Sequence, residues 1–359
     1  MQRQFKQLDF SGQNIYVGLD THRKQMTVTI LGEQVSHKTY SQPPEARVLA
    51  GYLKKNFPGA NYHAAYEAGF SGFWLQESLE RNGVNCIVVN PADVPTKDKE
   101  RKQKRDRSDS RKIARGLRNG ELEAIHVPGK QNQHDRVLVR TRGRLVGNLT
   151  RCRNRIKALL YFFGIGYPQE FIQSGTHWSG RFMSWLKQLD LGEESGNVAL
   201  GSFIEEAGFL RGLLLKVTRQ VRELSRTDPY SKRAKLLMGV PGVGSLTAMV
   251  ILTELETIAR FKGLDKLCSY IGLVPCVSSS DDREQIGGLT PRRNRMLRAM
   301  IIESSWIAVR RDPALTMKYN ELCGRMPGNK AIIRIAKKLV SRIRFILKHG
   351  QPYEMALVA

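Results

Sequence analysis

Acidic residues are scarce in this chain. Only 33 Asp and Glu stand against 58 Lys and Arg, which leaves a formal charge of +25 over 359 residues. A surplus of that size on a folding-competent composition points to a polyanionic partner, nucleic acid above all. Cysteines are few, at positions 86, 152, 268, 276 and 323, odd in number and far apart. No C-x-x-C pair occurs, which argues against a disulfide scaffold and a thiolate zinc site; free thiols in a reducing cytoplasm are expected. No apolar run reaches the ~18–20 residues of a membrane helix. The first residues, MQRQFKQLDFSG, lack the apolar core of a secretion signal. No tail concentrates the basic charge, so a membrane-surface role is not expected. The expected location is the cytoplasm.

What is present suffices for a core: 41% hydrophobic, 25% charged and 8% aromatic residues. At ~150 residues per domain, two or three domains are expected. IYVGLD (15–20), MTVTIL (26–31) and QVSHKTY (34–40) read as strands, the last two joined through Gly32-Glu33. NYHAAYEAG (61–69) reads as a strand ending at Glu67. SGFWLQESLERNG (71–83) reads as a helix with Ser71 as N-cap, CIVVN (86–90) as a buried strand, and IHVP (125–128) as a further one. Strands first, then β-α-β alternation, make a mixed α/β sheet. Residues 97–115 hold ten Lys/Arg and four Asp/Glu, which reads as a basic loop followed by a helix from about Ser108.

From 135 to 163 the periodicity changes. Leu138, Leu145, Leu149, Cys152, Ile156, Leu159 and Phe163 recur at heptad-like spacing on a long, Arg-rich helix. A second such stretch spans 203–225, and two antiparallel helices of this kind would form a stalk suited to oligomer contact. The linker at 164–200 has no clean assignment. After Ser231 the chain is helical again, with GVPGVG (239–244) as a turn between helices, a helix at 260–275, a polar loop at 276–290, and basic amphipathic helices at 291–311 and 329–350.

Three groups could carry chemistry. Asp20 and Glu67 end strands, and in open α/β sheets sites gather at strand ends. Asp106 and Asp109 share one face of a helix. Converged, four carboxylates need cations, and an oxygen-only ligand set favours Mg²⁺ or Mn²⁺, alone or as a phosphoryl-transfer pair. A strand-terminal Asp is often a turn residue, and D-x-x-D in a charged run is usually a solvated face. Lys102, Lys104, Arg105, Arg107 and Arg111 around the acidic pair would hold a phosphodiester. In GVPGVG, Gly242 and Gly244 would let backbone N–H groups approach a DNA phosphate, the helix-hairpin-helix pattern; a tight turn without a ligand is the plainer alternative. Ser278-Ser279-Ser280, with Arg283, Arg292, Arg293 and Arg295 close in sequence, is an ordinary surface serine cluster on chemistry alone.

Together, in this order, these motifs resemble the transposases of insertion sequences that encode a bridge RNA, a family related to pilin-gene invertases. The resemblance covers nearly the whole chain. It implies an RNase H-like, RuvC-like domain (1–130) whose D-E-D-D tetrad is Asp20, Glu67, Asp106 and Asp109. A helical coiled-coil region (131–230) and a mainly helical transposase domain (231–359) would follow. The latter opens on a helix-hairpin-helix-like turn and continues through Gly272-Leu273-Val274-Pro275 to a catalytic serine. The family pattern places that serine at Ser280, with Ser279 as the alternative. The chain departs from the pattern at Asp281-Asp282 and at Arg293, where family members commonly carry glycine. The activity implied is RNA-guided recombination of donor and target double-stranded DNA at the nucleoid of a bacterial cytoplasm, with Mg²⁺ (or Mn²⁺), a structured bridge RNA and a homo-oligomer, dimer or tetramer, as partners. A metal-dependent, structure-selective nuclease resembling a Holliday-junction resolvase would use the carboxylates without the serine. A non-catalytic architectural protein would explain the charge alone.

Overall fold

The computed structural model describes residues 9–95, 106–280 and 283–355, and for 106–107 and 277–286 the backbone alone. Lys102, Lys104, Arg105, Asp281 and Asp282 lie outside the described residues. The chain divides into two compact units, Met1–Val127 and Pro128–Ala359.

In the first unit, five strands form one sheet: β1 (Asn14–Thr21), β2 (Met26–Leu31), β3 (Ser36–Gln42), β4 (Asn61–Glu67) and β5 (Asn85–Val89), in the order β3-β2-β1-β4-β5. β1–β3 pair antiparallel, as short hairpin links allow, whereas β4 and β5 run parallel to β1. α1 (Ala46–Asn56) and α2 (Trp74–Arg81) are the crossovers that parallel pairing requires. Val17, Leu19, Ala64 and Tyr66 pack with Leu49, Leu53, Leu75 and Leu79 of these helices. α3 (Asp106–Arg118) packs against the sheet through Ile113, which joins Ala65, Val89 and Val94 in a smaller cluster. This mixed α/β unit is compatible with an RNase H-like domain.

The seat of α3 is unusually close. A Cβ on Gly18 of β1 would stand 2.1 Å from the Ser110 carbonyl oxygen and 2.4 Å from the Ala114 nitrogen, both backbone atoms of α3. Ser110 Oγ is buried and lies 2.8 Å from Thr29 Oγ1, on the residue that pairs with Gly18. Gly18→Ala must therefore push α3 off the sheet. It is expected to destabilise the unit by about 1–3 kcal/mol or more, read as a lowered unfolding midpoint of the full chain.

Three sequence-based expectations need correction in this unit. Ser71 does not cap α2: Gly72 takes φ +56, the helix starts at Trp74, and the Ser71 hydroxyl donates to Thr21 instead. Residues 125–128 form no strand; one bridge, Val89 to Ala124, ends the pairing there, Ile125 N–H donating to Val88 before the chain turns to proline. α3 is described from Asp106, two residues ahead of the expected Ser108, so both aspartates are helical.

In the second unit, α4 (Lys130–Phe162) and α6 (Glu194–Leu224) are longer than the heptads indicated. They lie antiparallel, since Arg142 meets Thr218 while Cys152 and Arg155 meet Phe203 and Glu206. Leu149, Cys152, Ile156 and Leu160 are buried against Leu200, Ile204, Ala207 and Leu210, together with α5 (Gly180–Gln188), which lies in the unassigned linker. Phe163, expected on the heptad face, is instead exposed just past the helix end.

The rest comprises α7 (Ser231–Met238), α8 (Ser245–Leu255), α9 (Leu264–Ile271), α10 (Arg295–Ala308), α11 (Pro313–Cys323) and α12 (Gly328–His349) around one core. Residues 276–290, expected as a polar loop, instead contribute a hairpin, β6 (Pro275–Ser280) with β7 (Arg283–Leu289). Backbone pairing makes this ladder, which hydroxyl-rich residues without apolar alternation do not announce. The expected helix at 291–311 begins only at Arg295, because Asn294 caps it by accepting from Leu297 N–H.

Candidate nucleic-acid active site

β1 and β4 pair with Gly18 opposite Ala65 and Leu19 opposite Tyr66. One residue further along both strands stand Asp20 and Glu67. Parallel neighbours in register lie ~5 Å apart, and alternation puts Asp20 on the face of Gly18 and Glu67 on the face of Ala65. That is the face α3 covers. Two of the four sequence-singled carboxylates are thus brought side by side by strand register, at the carboxyl edge of the sheet.

Asp109 sits on α3, one residue before the Ser110 carbonyl that meets Gly18. Its carboxylate accepts from Lys112 Nζ at 2.9 Å, and Asp20 Oδ2 lies 3.4 Å from His22 Nε2. Asp106 is the first described residue of α3, and only its backbone is described. Among the described side chains, no three or more Asp, Glu, His or Cys converge as a metal-ligand group. Arg107 follows Asp106 on α3, and Arg111 Nε donates to Thr39 Oγ1 at 3.2 Å.

In the second unit, GVPGVG joins α7 to α8. Gly242 has φ +83, and a Cβ there would lie 2.4 Å from the Ser304 carbonyl oxygen, so packing on α10 already demands glycine. Ser304 Oγ in turn donates to the Gly242 carbonyl. Gly244 is exposed, with open space where a Cβ would go. A cavity of about 660 Å³ is lined by this turn together with Ile307, Arg311 and Met355.

The serine strand β6 is held at its base. Gly272 takes φ +88, and a Cβ on it would strike the Arg293 side chain at 2.3 Å. Arg298 Nη1 donates to the carbonyls of Gly272 at 2.9 Å and Thr290 at 3.1 Å, tying together the two chain segments that enter and leave the hairpin. Arg292 and Arg293 precede α10 and Arg295 is its first residue. Ser279 and Ser280 are paired in the ladder with Glu284 and Arg283.

Sequence reasoning missed the group that braces this arrangement. Glu254 of α8, 1% exposed, accepts from Arg140 Nε at 2.7 Å and Nη2 at 2.8 Å, and from Asn294 Nδ2 at 2.8 Å. Its backbone carbonyl accepts from Arg136, Arg260 and Tyr270. Burial alone would push the carboxyl up, but the Arg140 hydrogen bonds, the Arg140 and Arg136 charges and the Asn294 amide hold it below the ordinary value. The available signal was the one charged residue of a mostly apolar helix, SLTAMVILTEL.

Residues 17–164 match the DEDD transposase profile of the IS110 group, and residues 234–320 match the profile described as "Transposase IS116/IS110/IS902 family". The chain is similar to the transposase for insertion sequence element IS1533 of Leptospira borgpetersenii, 23% identical over 96% of this chain and 99% of that one. It is 24% identical to the transposase for IS1111A of Coxiella burnetii over 76% of this chain and 73% of that one. A chain of Sinorhizobium fredii, y4qE, is 29% identical over 67% of this chain but only 57% of its own length. The protein is accordingly a transposase, a DNA-acting enzyme of recombination. It belongs to the IS110/IS116 family of insertion-sequence transposases. Among the described residues, no helix is long and apolar enough to cross a membrane.

Proposed function

We propose that this transposase is an RNA-guided DNA recombinase in which a carboxylate site and a serine act on one phosphodiester. The observation that carries the reading is the register of Asp20 beside Glu67 on the face covered by α3, whose first turn supplies Asp106 and Asp109. This donor set is oxygen-only and suits a hard divalent cation. Asp20, Glu67, Asp106 and Asp109 would hold Mg²⁺ or Mn²⁺, which when bound neutralises the carboxylates and stabilises charge on the phosphate. Ser280 Oγ attacks phosphorus: an Oγ–P bond forms, the P–O3′ bond breaks, the serine proton passes to water, and the leaving oxygen becomes a 3′-hydroxyl. The covalent phosphoserine then conserves the bond for rejoining to another strand.

Functionally the chain divides into a carboxylate domain (1–130), a helical stalk (131–230) and a serine domain (231–359). A structured guide RNA, held by backbone and shape, would pair with donor and target DNA. Lys102, Lys104, Arg105, Arg107, Arg111, Arg292, Arg293 and Arg295 would contact phosphates, as would the turn at Gly242 and Gly244, of which Gly244 is exposed. Two duplexes call for a homo-oligomer, dimer or tetramer, working at the nucleoid.

The test is a denaturing gel with end-labelled DNA, Mg²⁺ and the RNA transcribed beside the gene. Wild type should yield a protein–DNA adduct that vanishes in Ser280→Ala, along with recombination. An adduct that survives Ser280→Ala and disappears in Ser279→Ala moves the nucleophile by one residue. Cleavage with no adduct in any form means a metal-dependent nuclease and overturns the serine mechanism.

A further inference from the structure

The junction that follows α4 presents aromatic rings to solvent. Tyr161 is 88% exposed and Phe162 79%, at the last two positions of the helix, and Phe163 follows edge-on to Phe162. They stand out there because Leu160 beside them is buried and Gly164, at φ +67, stops the helix. Lys157, one turn before Tyr161, reaches the ring of Trp178 at 6.0 Å, and Arg153, one turn earlier, reaches the same ring at 5.0 Å. Trp178 takes φ +69, a costly backbone conformation for an aromatic residue, held by packing against Phe182. Arg153 Nε finds no hydrogen-bond partner among the described residues. The helix below carries nine Lys/Arg against a single acidic residue, Asp135.

The proposed function leaves this surface unused. We infer that Tyr161, Phe162 and Trp178, interleaved with Arg153 and Lys157, form a stacking platform for unpaired bases of an RNA. Aromatic rings alternating with cations suit bases and backbone together: rings stack on base faces, and cations follow the phosphates. A purely aliphatic patch would instead suit another protein surface. Duplex DNA keeps its base faces in the stack, whereas loops of a folded RNA splay theirs out. The inference rests on the reading that the protein carries an RNA.

The experiment uses the full-length chain and three labelled probes: an RNA hairpin with a long adenosine-rich loop, the same RNA with the loop closed by pairing, and a DNA hairpin of the first sequence. Wild type should bind the looped RNA more tightly than the other two. Tyr161→Ala/Phe162→Ala should weaken that binding by roughly 10–100-fold, the loss of one or two stacked bases, and leave the paired RNA unchanged; Tyr161→Phe should retain it. Both residues are exposed, so the unfolding midpoint should not move. If wild type binds neither RNA, the RNA-guided reading fails. If wild type prefers looped RNA and the double variant binds it equally well, the platform is wrong while that reading stands. A preference for the DNA loop, or a changed oligomeric mass of the double variant in light scattering without a loss of RNA binding, also overturns it.

Discussion

Asp20→Asn is expected to abolish recombination, by roughly 10³-fold or more, while leaving the unfolding midpoint within a degree or so of wild type. The substitution keeps shape and removes one charge from a site whose proposed task is to bind a cation at the scissile phosphate. Losing a metal ligand forfeits several kcal/mol of transition-state stabilisation, at 1.36 kcal/mol per tenfold in rate. Asp20 is not a core support: it stands at the carboxyl end of the central strand, its side chain 22% exposed and near His22. Glu67→Gln should match it, because register sets the two carboxylates side by side. The double variant should be no worse than either single one, as for residues that act as a unit. Recombination of a reporter plasmid, paired with thermal unfolding of the same samples, checks all three. Wild-type recombination in Asp20→Asn would remove the carboxylate edge from the mechanism.

Glu254→Ala should act oppositely, through the fold. It leaves Arg140 and Asn294 without their acceptor and Arg136 without a nearby countercharge. Breaking a buried ion pair from one side costs about 3–5 kcal/mol. The loss should propagate to the serine hairpin, because Asn294 also caps α10, whose Arg298 holds both segments at the hairpin base. The folded carboxyl lies below its ordinary value of 4.5, so its contribution is fully present above that pH and is lost as pH falls through the lowered folded value. Urea unfolding of the full chain between neutral and acidic pH measures this. Wild type should lose stability on acidification, and Glu254→Ala should lack that share of the loss. An unchanged midpoint in Glu254→Ala at neutral pH would show that the network contributes nothing net.

Much of the architecture was legible in local patterns. β-branched alternation marked β1 and β2, and heptad spacing marked the α4–α6 pair, because both periodicities follow from backbone geometry alone. Asp20 and Glu67 stood out because carboxylates that close apolar strands are conspicuous. The hairpin of β6 and β7 was not legible, since Val277 and Ile286 meet through a ladder that no local apolar pattern encodes. Glu254 was passed over because its partners come from positions 136, 140 and 294, remote in sequence. Gly18 carries no local signal at all, because the backbone of α3 that excludes its Cβ comes from residues 110 and 114.

By itself, then, the sequence determined that this is a folded, strongly basic protein with a mixed sheet first and helices after. Composition, period and charge are sums over neighbours in the chain. Tertiary structure alone decided which residues stand together: Asp20 beside Glu67 through parallel register, α3 against Gly18 through a missing Cβ, and Arg140 with Asn294 on one buried carboxylate. Each of these depends on distances between segments far apart in sequence, which only packing sets.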